Sequence, residues 1–118
     1  MAFEIIFYRK ESGRSHVEDF ISRCNDQEKL EIVAHLDALS RLGLNARRPL
    51  VDYLEDGIYE LRIRVVKKQI RALYFFFQRH KIVVTNAFVK KSTKIYPKEI
   101  EKAKKFRKDF ISRSQEDE

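Results

Sequence analysis

The chain has 118 residues, 43% hydrophobic and 36% charged, with 25 Lys and Arg against 18 Asp and Glu for a formal charge of +7. This length suggests one domain that buries roughly two-thirds of its unfolded surface, and the hydrophobic share argues against wholesale disorder. The longest apolar run, ALYFFF, is too short to span a bilayer, MAFEIIFYRK has no features of a secretory signal, and the single cysteine, Cys24, allows no internal disulfide and fits a reducing cytoplasm.

Residues 3–8, FEIIFY, read as a first strand. Ser15 with Glu18 has the spacing of a capping box, and Val17, Phe20, Ile21 and Cys24 follow at the spacing of a short amphipathic helix. Cys24 completes that apolar stripe, so it reads as a structural thiol rather than a nucleophile. Asn25 and Glu28 repeat the capping pattern and open a second helix, with Ile32, Val33, Leu36 and Leu39 on one face and Gly43 just past its end. Two capped helices separated by almost nothing predict a helical hairpin. His35 borders the apolar face and reads as packing or surface. No other His or Cys lies at metal-ligand spacing, so neither a metal site nor a cofactor is signalled.

Residues 44–57, LNARRPLVDYLEDG, read as loop. In IYELRIRVV, Tyr59, Leu61, Ile63 and Val65 alternate with Glu60, Arg62 and Arg64, the period of a strand with one face on a core. KKQ turns the chain into a second strand, IRALYFFFQ, and RHK, with His80 exposed, into a third, IVVTNAFV. Short turns make these an antiparallel meander. Pro97 suits the first position of a last helix, whose buried stripe is Ile100, Ala103, Phe106 and Phe110. The expected domain covers 1–111, and 112–118, SRSQEDE, is expected to fray. The order β-α-α-β-β-β-α predicts an α+β fold, a small, mostly antiparallel sheet backed by a helical hairpin. The helices are expected to cover one sheet face, leaving Glu60, Arg62 and Arg64 on the other.

Between Lys90 and Lys108, nine basic residues oppose only Glu99 and Glu101. Such a segment favours a polyanionic partner, or else is a helix with a solvated lysine face. Arg62 lies mid-strand, the hairpin brings Arg71 towards it, and the third strand delivers Lys90 and Lys91. A cluster of this kind repels itself unless an anion neutralises it, and arginine's planar fork suits phosphate. Tyr96 is placed to donate a hydrogen bond or stack on a base. Glu60 either accepts a proton or pairs with an arginine. Cross-strand Glu–Arg pairs on a solvated sheet are the competing explanation.

The runs GIYELRIRV, IRALYFF and IVVTNAFVKKSTKIYPKEIEKA together resemble the RelE/ParE superfamily of bacterial and phage toxins, closest to its HigB-like branch. The resemblance implies a type II toxin held by an antitoxin, here a small helix-turn-helix protein, in the cytoplasm with no membrane partner. It also implies a ribosome-dependent endoribonuclease that cuts mRNA. On that resemblance Arg62, Arg71, Lys91 and Tyr96 are catalytic candidates; Glu60 joins them from the residue pattern alone, and Arg64, Lys90 and Lys94 are the RNA-binding candidates. RelE-like members use lysines where this chain has Ile58 and Glu60, so Glu60, Lys90 and Lys91 are all left as candidates for the base. The expected chemistry is metal-independent, with the substrate's own 2′-hydroxyl attacking the adjacent phosphate. The alternatives are ParE-like inhibition of DNA gyrase, a non-catalytic nucleic-acid-binding module, and a phage remnant without activity.

Overall fold

A computed structural model describes residues 2–91 and 96–116. The elements are β1 (Glu4–Phe7), α1 (His16–Ser22), α2 (Asp26–Leu42), a 3₁₀ turn (Gly43–Asn45), β2 (Val51–Glu55), β3 (Ile58–Val65), β4 (Lys68–Phe77), β5 (Lys81–Val89) and α3 (Pro97–Glu116). Both expected N-caps are present. Ser15 Oγ accepts the Glu18 N–H at 3.1 Å, while the Glu18 carboxylate turns away to pair with Arg9. At α2 the box closes both ways: Asn25 Oδ1 accepts the Glu28 N–H at 2.8 Å and Glu28 Oε1 accepts the Asn25 N–H at 2.9 Å. Gly43 ends α2 with a φ of 52°, and a Cβ there would lie 2.1 Å from the Phe3 ring, so only glycine fits.

The five strands form one sheet in the order β1-β5-β4-β3-β2. The β3–β4–β5 meander is antiparallel, as the sequence predicts, but β1 pairs with β5 in parallel, so the sheet is mixed. β2 was hidden within the segment expected to be loop. It joins β3 through a two-residue turn at Asp56-Gly57, both at positive φ (54° and 81°), the Asp-Gly hairpin signature. β2 is short. Its pairing begins at Val51 opposite Leu61, and the last link is the Arg62 N–H donating to Leu50 O at 2.8 Å. Beyond Arg62, β3 has no further strand partner on this side among the described residues.

The helices do not share one face of the sheet. Val17 of α1 and Ile32 and Leu39 of α2 bury the row Leu61, Ile63, Ile70, Ala72, Tyr74, Ile82 and Val84. The opposite row, Ile58, Leu73, Phe75 and Val83, is covered by Ile100, Ala103 and Phe106 of α3. The period-2 pattern of β3 breaks in β4, where Leu73, Tyr74 and Phe75 are all buried, because each face there meets a helix. Full burial of side chains this size contributes about 1.5–3 kcal/mol each. One further expectation is corrected: Val33 is 63% exposed, outside the buried stripe of α2. The last helix runs to Glu116, with Arg113 held by Asp109 at 2.7 Å. Among the described residues no helix is long and apolar enough to cross a membrane.

Candidate functional site

The β3–β4 register sets Arg62 directly opposite Arg71, on the sheet face that α3 covers further along. Two like charges so placed need a counter-charge. Glu60, two residues before Arg62 and therefore on the same face, supplies it. Its Oε2 accepts from Arg62 Nε at 2.9 Å, and its Oε1 lies 3.5 Å from Arg71 Nε. Glu60 is 2% exposed and Arg71 5%. Arg71 also donates to Gln69 Oε1 at 2.6 Å and to Ile70 O at 3.2 Å. Burial pulls the Arg71 guanidinium below its ordinary value, and the Glu60 charge works against that pull. Glu60 Oε1 and Arg71 Nε face each other without a hydrogen bond to any group among the described residues. The pair is therefore charge-balanced but not hydrogen-bond-saturated.

The network continues outward. Arg62 Nη2 reaches Asp52 of β2 at 3.3 Å, and Asp52 takes a two-pronged contact from Arg48 at 3.0 and 2.9 Å. Arg48 first, and Arg62 after it, hold the Asp52 carboxyl below the usual carboxylate range. The result is a row of alternating charge, Arg48–Asp52–Arg62–Glu60–Arg71, from the exposed surface to the buried strand centre.

Over this row lies a cleft of about 530 Å³ lined by Arg62, Arg64, Gln69, Arg71, Lys90, Pro49, Leu50 and His35. A neighbouring groove of about 470 Å³ takes in Arg64, Lys67, Lys68, Lys90 and Lys91. Arg62, Arg71, Arg64 and Lys90 thus meet at one cleft, and exposed Lys91 stands at the adjoining groove. Tyr96 is half-buried, edge-on to Phe88 with ring centroids 4.8 Å apart, and Phe88 is the β5 partner of Arg71. That packing is why a tyrosine stands where a capping residue would fit: its ring seals the core beside Arg71, and its carbonyl accepts the first N–H groups of α3. Lys94 lies outside the described residues.

The basic run of α3 does not join this cleft as one field. Lys104 pairs with Glu55 at 2.6 Å, and Arg107 with Asp56 at 3.7 Å, tying α3 to the β2–β3 hairpin. Sequence reasoning missed Asp52, Arg48 and Gln69, and it set His35 aside. The Asp-Gly turn was the available signal for the first two, because it makes Val51–Glu55 a strand paired with β3. Among the described residues no group of His, Cys, Asp and Glu side chains is placed to hold a metal ion.

The family model described as phage derived protein Gp49-like (DUF891) matches residues 19–108, from α1 to near the middle of α3. The chain belongs to the Gp49-like family. This is a RelE/HigB-like toxin family, and its members imply an antitoxin partner. The comparison with curated proteins gives no match. The matched span of the Gp49-like chain contains the whole Arg62–Glu60–Arg71 row and every residue lining the cleft.

Proposed function

We propose that this Gp49-like protein is a type II toxin of the HigB-like branch, a metal-independent endoribonuclease that cuts mRNA on the ribosome until a small helix-turn-helix antitoxin covers it. The observation that carries this reading is the placement of two strand-paired arginines, Arg62 and Arg71, in a cleft with Arg64 and Lys90. A phosphate entering the cleft meets guanidinium groups already aligned by Glu60 and Asp52, which is how a site stabilises developing charge without reorganising. In the reaction the substrate 2′-oxygen loses its proton and attacks the adjacent phosphorus. The bond from phosphorus to the 5′-oxygen breaks, and that oxygen gains a proton. The products are a 2′,3′-cyclic phosphate and a 5′-hydroxyl end.

In this reading Arg62 and Arg71 carry the charge of the pentacoordinate phosphate. Lys90, Lys91 and Arg64 hold the flanking backbone, and Tyr96 shapes the wall beside Arg71. Glu60 is enclosed between two guanidinium groups and has almost no exposed surface, so it serves as their counter-charge rather than as the base. Inducing the protein and mapping transcript 5′ ends tests the reading. New 5′-hydroxyl ends inside translated frames are expected. Intact transcripts accompanied by DNA damage would overturn it in favour of gyrase inhibition.

A further inference from the structure

We infer that His35, on α2, is the catalytic base of this site; the inference rests on the nuclease reading above. A base at this cleft must present a lone pair to the 2′-hydroxyl. The arginine side chains offer none, and an ordinary lysine keeps its proton at neutral pH. The Gln69 amide oxygen is not basic, and it is already taken up by Arg71 at 2.6 Å. Among the described residues lining the cleft, His35 is the remaining side chain with a basic atom.

Its ring is held in the form a base requires. His35 Nδ1 sits 2.7 Å from the carbonyl oxygen of Glu31, one turn back along α2, and a carbonyl can only accept. Nδ1 therefore carries the hydrogen. The neutral ring then has its lone pair on Nε2. The Glu31 carboxylate lies 3.7 Å from Nδ1. Among the described residues the other charged side chains lining the cleft are Arg62 and Arg64 of β3, Arg71 of β4 and Lys90 after β5, with Glu60 and Asp52 paired to the arginines beneath it.

α2 lies on the opposite sheet face from the arginines, and the reach across is possible because β2 stops short. With the last link at Leu50 O to Arg62 N–H, β3 has no further strand partner on this side beyond Arg62 among the described residues, and His35, Pro49 and Leu50 close the cleft around that edge. In the reaction His35 Nε2 takes the 2′-hydroxyl proton as the 2′-oxygen attacks phosphorus. Water supplies the proton to the departing 5′-oxygen, and the imidazolium returns its own proton to solvent. One proton leaves the substrate and one is gained, with no other reactant.

The test is single-turnover cleavage of a short mRNA bound to programmed ribosomes, comparing the full-length protein with His35→Gln. Glutamine keeps a side-chain donor for the Glu31 carbonyl, and the side chain of His35 is 24% exposed, so a matched thermal melt is expected. The rate should fall about 10²- to 10⁴-fold. The wild-type rate should rise with pH, as a base-assisted step does, and the variant should lose that rise. Free imidazole should restore part of the activity of His35→Ala. A substrate whose departing 5′-oxygen is replaced by sulfur, which needs no proton to leave, should stay slow with His35→Gln. Full recovery on that substrate would make His35 the acid and overturn the inference. So would a variant rate within threefold of wild type with an unchanged pH profile, and in either case the nuclease reading would stand. If the wild-type protein cuts no ribosome-bound mRNA, both fall together.

Discussion

Replacing Arg71 with methionine tests whether Glu60 is held as a counter-charge. Methionine fills much of the space without the guanidinium, and among the described residues it leaves a carboxylate of 2% exposure with Arg62 at 2.9 Å as its one charged partner. At the 3.5 Å separation of Glu60 Oε1 and Arg71 Nε, an effective dielectric of about 20 gives an attraction near 5 kcal/mol before desolvation is subtracted. Removing one member of a buried pair costs about 3–5 kcal/mol, and the retained Arg62 contact places Arg71→Met near 3. For 118 residues that is a fall in Tm of about 12 °C. Glu60→Gln also destabilises, because it leaves Arg62 and Arg71 facing each other across the register with no anion between them. The double variant carries neither defect in full, so its loss is expected to be about 1–3 kcal/mol smaller than the sum of the singles. Urea midpoints at a common m-value read this directly. Single losses that add to within about 0.5 kcal/mol would refute the counter-charge assignment. The same numbers make Arg71→Ala alone a poor test of catalysis, because lost toxicity and lost folding would coincide. The double variant, folded and inactive, separates them.

Two further predictions concern pH. His16 Nδ1 accepts the Ala87 N–H at 3.4 Å, and burial first, then Lys102, lowers its affinity for a proton from the ordinary 6.5. The unfolded chain therefore binds a proton that the folded chain refuses, so stability should decline as pH falls from 6.5 through the lower folded value. His16→Asn should remove that part of the decline, and an identical profile of urea midpoint against pH would rule the assignment out. Glu28 lies below its ordinary 4.5 because of the Lys68 hydrogen bond first and the Asn25 N–H second. Its contribution should be complete above 4.5 and disappear as pH drops through the folded value. Glu28→Gln should be less stable at neutral pH and lose less on acidification. Wild-type acid sensitivity in the variant would count against the pair.

What could be read from the sequence was local. The capping at Ser15 and Asn25, the meander from Tyr59 to Val89 and the start of α3 at Pro97 are each decided by residues within a turn or a few strand positions of one another. Parallel pairing of β1 with β5 joins Glu4 to Lys81, and nothing in either short strand encodes the other. The position of α3 was misjudged for a related reason. Leu73 and Phe75 alternate with Ala72, Tyr74 and Phe76, so β4 is apolar on both sides, a pattern that itself calls for two covering layers.

Charge misled where counting replaced pairing. The nine basic residues from Lys90 to Lys108 suggest a polyanion-binding surface or a solvated lysine face, but Lys104 and Arg107 are occupied by the acids of the β2–β3 hairpin, some fifty residues earlier in the chain. Lys90, Lys91 and Arg64 are different because they line grooves at the end of the sheet rather than a helix side facing acids. The same distinction bears on Glu60, which in sequence is either a proton acceptor or an arginine partner, and on His35, which reads as packing or surface. In sequence Glu60 is the carboxylate nearest two arginines, and His35 sits on a helix predicted to lie behind the sheet. In three dimensions that nearness encloses Glu60 between Arg62 and Arg71, whereas the early end of β2 brings His35 to the rim of the cleft. A carboxylate gains influence over two cations by giving up access to substrate, so the proposed nuclease site takes its proton acceptor from a different element.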